Sequence, residues 1–128
     1  MADGPLARRT DGADDDNATI YHNPRCTTSR KALELLRDNG IEPNVIQYLK
    51  TPPSRAELVQ LINDAGIDVR TAVRKREPLY AELSLADADD DELLDAMAEH
   101  PILIERPFVV TPRGTRLARP MDSVREIL

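Results

Sequence analysis

Tryptophan is absent from this 128-residue chain, phenylalanine occurs once and tyrosine three times. A core drawn from such a composition has to be aliphatic, and binding modes that stack nucleic-acid bases on aromatic platforms are disfavoured. Positive charge is short as well. Seventeen Lys and Arg stand against 23 Asp and Glu, a formal net charge of -6, which lacks the basic excess of a phosphate-backbone binder. No apolar run approaches the ~18 residues of a membrane-crossing helix, so neither nucleic acid nor membrane is an expected partner. Cysteine occurs once, as Cys26, which rules out an intrachain disulfide and points to a reducing compartment. One thiol and two histidines far apart in sequence, His22 and His100, form no zinc set, and no metal is expected.

A chain of this length suits one domain. Residues 1–18 read as a disordered acidic leader: five Asp against Arg8 and Arg9, with no apolar periodicity. The Arg8-Arg9 pair does not make an export signal, because Thr-Asp-Gly-Ala-Asp-Asp-Asp follows where an apolar segment belongs. The folded domain is expected over 19–128. Thr19-Ile20-Tyr21 favours a strand ending at Asn23-Pro24. A helix from Ser29 to Asn39 places Ala32, Leu33, Leu35 and Leu36 on one face and stops at Gly40. Asn44 to Leu49 reads as a second strand, which the helical crossover makes parallel to the first.

The middle of the chain reads as helical. Ser54 with Glu57 forms a capping box for a helix through Ala65. Short helices are expected at Val69–Arg74 and Pro78–Leu83. The carboxylates of Asp89 to Glu92 open another that runs to His100, where the helix dipole favours first acids and then a cation. From Ile102 to Thr111 the pattern turns to β, and Pro112-Arg113-Gly114 marks an antiparallel hairpin to Thr115–Ala118. A last helix spans Asp122–Leu128. The order predicts an α/β, thioredoxin- or glutaredoxin-like fold. Its mixed four-stranded sheet carries helices on both faces, with a helical insertion between an N-terminal βαβ and a C-terminal ββα unit.

Cys26 is the chemical focus of the chain. An ordinary thiol titrates near ~8.5, and amides at a helix start or a nearby imidazolium lower that value. Both are in reach in His22-Asn23-Pro24-Arg25-Cys26-Thr27-Thr28-Ser29-Arg30, where His22, Thr28 and Ser29 are the expected stabilisers of a thiolate. A free cysteine is most often a small buried hydrophobe, but this polar surrounding offers little to bury it in. Arg74, Arg106 and Arg119 are the candidate anion ligands. Arg106 precedes Pro107, which is expected to be the cis-proline that thioredoxin-like folds set beside the reactive sulfur. Guanidinium forks and helix-start amides together make an oxyanion site.

These segments, together with Tyr48-Leu49-Lys50-Thr51-Pro52-Pro53, Val69 to Lys75, His100 to Pro107 and Thr111 to Arg116, resemble the glutaredoxin-coupled arsenate reductases from about Thr19 to Leu128. The resemblance implies thiol-dependent reduction of arsenate to arsenite in the bacterial cytoplasm. Cys26 would attack arsenic as a thiolate while Arg74, Arg106 and Arg119 hold the oxyanion. His22 would lower the thiol pKa, and Ser29 would hydrogen-bond the sulfur. No cofactor is bound: an external thiol, glutathione or an equivalent, is the reductant, and a glutaredoxin-type protein resolves the adduct. A single cysteine agrees with this, since no second thiol is present in the chain. A monomer is expected. Thr27-Thr28-Ser29 departs from the Gly-Thr-Ser of the best-known members and crowds the pocket. Two rival readings share the frame. One is an Spx-type regulator that binds RNA polymerase, although Ser29 stands where its second switch cysteine belongs; the other is a general glutathione-dependent thiol reductase.

Overall fold

The computed structural model describes residues 18–128. The expected leader lies outside these residues, except that Ala18 is part of the fold: it is buried, and its carbonyl accepts the Asn44 N–H at 2.8 Å. Two compact units make up the described chain, one from residues up to 47 with 106–128, the other from 48–105.

The first unit is a sheet with a helix. Strand β1 (Thr19–His22) pairs in parallel with β2 (Asn44–Gln47) across helix α1 (Thr27–Asp38). On its other side β1 pairs antiparallel with β3 (Phe108–Thr111), which pairs antiparallel with β4 (Gly114–Leu117), so the order is β2-β1-β3-β4. The helix and the sheet meet through complementary periodicities. Ala32, Leu35 and Leu36 recur at helical spacing and pack with Ile20 and Val109, which face each other across the β1–β3 ladder. Val124 and Ile127, from a 3-10 segment over Met121–Ile127, complete that core. Phe108 and Val109 point to opposite faces and are both buried, so β3 is covered on both sides. Gly40, just beyond the α1 C-cap, takes φ +78°, the left-handed conformation in which a helix end closes without a Cβ penalty.

The second unit is helical: α2 (Arg55–Ala65), α3 (Val69–Ala72), α4 (Pro78–Glu82) and α5 (Asp90–Glu99). Both long helices begin in complete capping boxes, Ser54 with Glu57 and Asp89 with Glu92. Helix α2 packs against α5, and Arg55 bonds Asp95 at 2.7 Å and Asp91 at 3.1 Å. His100 is the C-cap of α5.

Several boundaries differ from expectation. Helix α1 starts two residues early, at Thr27, and β2 ends at Gln47 because Tyr48–Lys50 turns away. The apolar run 102–104 is not a strand. Pro101 opens a 3-10 turn over Pro101–Leu103, Ile104 makes only an isolated bridge with Val73, and pairing in β3 starts after Pro107, which has no N–H to give. The C-terminal helix is 3-10 rather than α, with the Ser123 hydroxyl donating to the carbonyls of Leu117 and Pro120 at its start.

Candidate active site

Cys26 occupies the N-cap of α1 in extended conformation, φ -95° and ψ 122°. Its N–H donates to Asn23 O at 3.0 Å, closing the Asn23-Pro24-Arg25-Cys26 turn that delivers the thiol to the helix start. The N2 and N3 residues, Thr28 and Ser29, carry the amides that an N-cap side chain ordinarily receives. The Cys26 side chain makes no cap hydrogen bond, but these two amides act on the sulfur by lowering its pKa.

The thiol is more enclosed than its polar neighbours in sequence imply. Cys26 is 8% exposed, with the Arg119 guanidinium beside its sulfur. Burial by itself pushes the thiol up. The Ser29 N–H, the guanidinium groups of Arg106 and Arg119 and the Thr28 N–H outweigh that cost and leave the pKa below its ordinary value. Arg119 Nη2 stands 3.7 Å from Sγ. Its Nε donates to the carbonyl of Arg106 at 2.8 Å, so the backbone of one arginine aims the side chain of the other at the sulfur. That carbonyl belongs to a cis peptide bond, Arg106–Pro107, and Arg119 itself precedes a second, Arg119–Pro120. Arg106 is 6% exposed.

Behind the sulfur lies a polar network. Ser29 is fully buried; its Oγ is 2.7 Å from His22 Nδ1 and accepts the Asn23 N–H at 2.9 Å. His22 is therefore linked to the α1 start through Ser29. Burial chiefly, then the charges of Arg37 and Arg30, hold its pKa below the usual imidazole value, which opposes the imidazolium that the sequence suggested beside the thiol. Beside Cys26, Thr28 and Arg119 line one wall of a pocket of about 400 Å³ shared with Lys31, Ala118, Pro120 and Met121.

Arg74, the third candidate, belongs to the 48–105 unit, where its N–H donates to Leu103 O at 2.7 Å and its Nη1 lies 3.4 Å from Glu77 Oε2. Sequence reasoning reached Arg119 but not its tie to the Arg106 carbonyl, and it passed over Lys31. The only available signal for the tie was the repetition of Arg-Pro at 106–107 and 119–120. Among the described residues no group of three or more His, Cys, Asp and Glu converges as a metal site, and no helix is long and apolar enough to cross a membrane.

Strand order, helix placement and a cysteine with lowered pKa beside an arginine at the first helix start define a thioredoxin-like protein with a single thiol. Comparison with known proteins narrows this class. The model of the ArsC family matches residues 21–127. An arsenate reductase of Rhizobium meliloti (strain 1021) is 60% identical over 112 residues, covering 86% of this chain and 80% of its own length. An arsenate reductase of Escherichia coli (strain K12) is 59% identical over 114 residues, covering 88% and 81%. Among solved structures, an arsenate reductase from Vibrio cholerae superimposes with a TM-score of 0.84 at 50% identity, covering 88% of this chain and 98% of that one. The chain belongs to the ArsC family.

Proposed function

We propose that this chain is a cytoplasmic arsenate reductase, in which the Cys26 thiolate attacks arsenic and an external thiol with a glutaredoxin-type protein completes the reduction. One observation carries the reading: Sγ at the start of α1, its pKa depressed by amides and guanidinium groups, with Arg119 Nη2 at 3.7 Å. A thiolate repels an oxyanion unless cations neutralise both, and the same cations stabilise charge on the oxygens as the nucleophile adds.

In this reading Arg106 and Arg119 hold arsenate over the sulfur, Arg74 contributes the third cation, and the Thr28 and Ser29 amides keep Cys26 ionised. His22 acts through Ser29. Attack forms a sulfur–arsenic bond and releases one arsenate oxygen as water. The thiol of glutathione or an equivalent displaces a second oxygen. A glutaredoxin thiolate then attacks the glutathione sulfur, and the electron pair of that sulfur–arsenic bond stays on arsenic, which becomes arsenic(III). Hydrolysis frees arsenite and Cys26, and glutaredoxin leaves as the mixed disulfide.

The test is arsenate reduction by the purified chain with glutathione and glutaredoxin. Turnover is expected from the wild type and none from Cys26→Ser. A folded protein with a free, alkylatable Cys26 and no arsenite formed with glutathione or any other low-molecular-weight thiol would overturn the proposal.

A further inference from the structure

The pocket of about 400 Å³ beside Cys26 is lined by Thr28, Lys31 and Arg119 over an apolar floor of Ala118, Pro120 and Met121. Arg119 is turned toward the sulfur, so its charge serves the reacting atoms. Lys31 is different. It lies on α1 one turn beyond Thr28, is exposed, and no described residue pairs with its ammonium. A molecule in this pocket meets the exposed Lys31 and also Arg119, whose Nη2 stands 3.7 Å from the Cys26 sulfur.

We propose that this pocket is the co-substrate subsite, and that it selects a carboxylate-bearing low-molecular-weight thiol by pairing the carboxylate with Lys31. The inference rests on the reductase reading for its biological purpose, but the pocket's chemistry does not need arsenate. Such a thiol delivers its sulfur next to Cys26 Sγ while its backbone crosses Ala118 and Met121. Peptide thiols of the glutathione class have this form; neutral thiols gain nothing from the ammonium. The contact is a solvent-exposed ion pair, so it contributes selectivity of a few fold.

The same encounter is readable as thiol–disulfide exchange. Cys26 Sγ attacks one sulfur of glutathione disulfide, a Cys26–glutathione disulfide forms, and one glutathione thiolate leaves, with no other reagent required. The measured quantity is the ratio of second-order rate constants for glutathione disulfide over the uncharged hydroxyethyl disulfide, followed by mass spectrometry on the full chain. Any general effect on thiolate reactivity divides out of that ratio. Lys31→Gln is expected to lower it about threefold and Lys31→Glu about tenfold, with the wild-type ratio falling toward the variants' as salt is raised. In arsenate turnover the same variants raise the KM for glutathione more than the KM for arsenate. A ratio unchanged in both variants overturns the inference. Loss of arsenate turnover in the wild type would count against the proposed function alone, because exchange is read without arsenate.

Discussion

Arg119 is fastened at one end and functional at the other. Its Nε holds the Arg106 carbonyl while Nη2 faces Sγ, so Arg119→Ala removes a charge that depresses the thiol pKa. The pH profile of Cys26 alkylation by iodoacetamide is expected to move upward in this variant. Arg119→Lys should fall between it and the wild type, since a lysine keeps the charge but not the fork that spans carbonyl and sulfur. His22 gives a second, independent signature. Its pKa is lowered from 6.5 in the folded chain, so below pH 6.5 the unfolded chain takes up a proton that the native one refuses. Stability is therefore lost as pH falls from 6.5 toward the folded value, and His22→Asn should flatten urea midpoints across that window. At this scale the sequence was legible where neighbours along the chain decide the outcome. Cys26 at a helix start is such a case. It was not legible where burial decides: the lowered pKa of His22 and the enclosure of Cys26 depend on tertiary packing.

Elements divide along the same line. Ser54 with Glu57 was readable as a capping box because both bonds are local, and α2 starts at Arg55 as that motif requires. Asp89 to Glu92 was readable as an acidic helix start, although the side-chain exchange between Asp89 and Glu92 adds to the dipole effect. Ser54→Ala and Asp89→Ala are each expected to cost about 1 kcal/mol, measured by chemical denaturation. Segment 102–104 was misread as strand: its apolar composition fits one, but Pro101 and Pro107 limit which backbone groups can pair, and a short 3-10 turn results. The last helix falls where the sequence puts it, in 3-10 form after Pro120.

For the whole molecule, the βαβ and ββ hairpin portions were foreseeable from crossover length and turn chemistry, and the antiparallel pairing of β1 with β3 joins them into one sheet. Counting the described residues, each of the two compact units holds roughly 60 or fewer, a size at which a core is marginal by itself. Residues 19–128 are accordingly expected to unfold as one domain. Far-ultraviolet circular dichroism, which reports chiefly the helical unit, and the chemical shift of Phe108, in the sheet unit, should trace coincident denaturation curves. Separate midpoints would mean two independently stable parts. Leu36→Ala, which opens a hole between α1 and the sheet, should shift both probes together by about 2 to 5 kcal/mol.

Ser29, not a second sulfur, occupies the place three residues after Cys26, and no other cysteine exists in the chain. A thiol whose pKa is lowered in this way is of the kind that peroxide oxidises to a sulfenic acid. No neighbouring thiol is present to trap that species as a disulfide before further oxygen adds. Oxidative injury at this position is therefore either rescued by a small thiol from outside or becomes permanent.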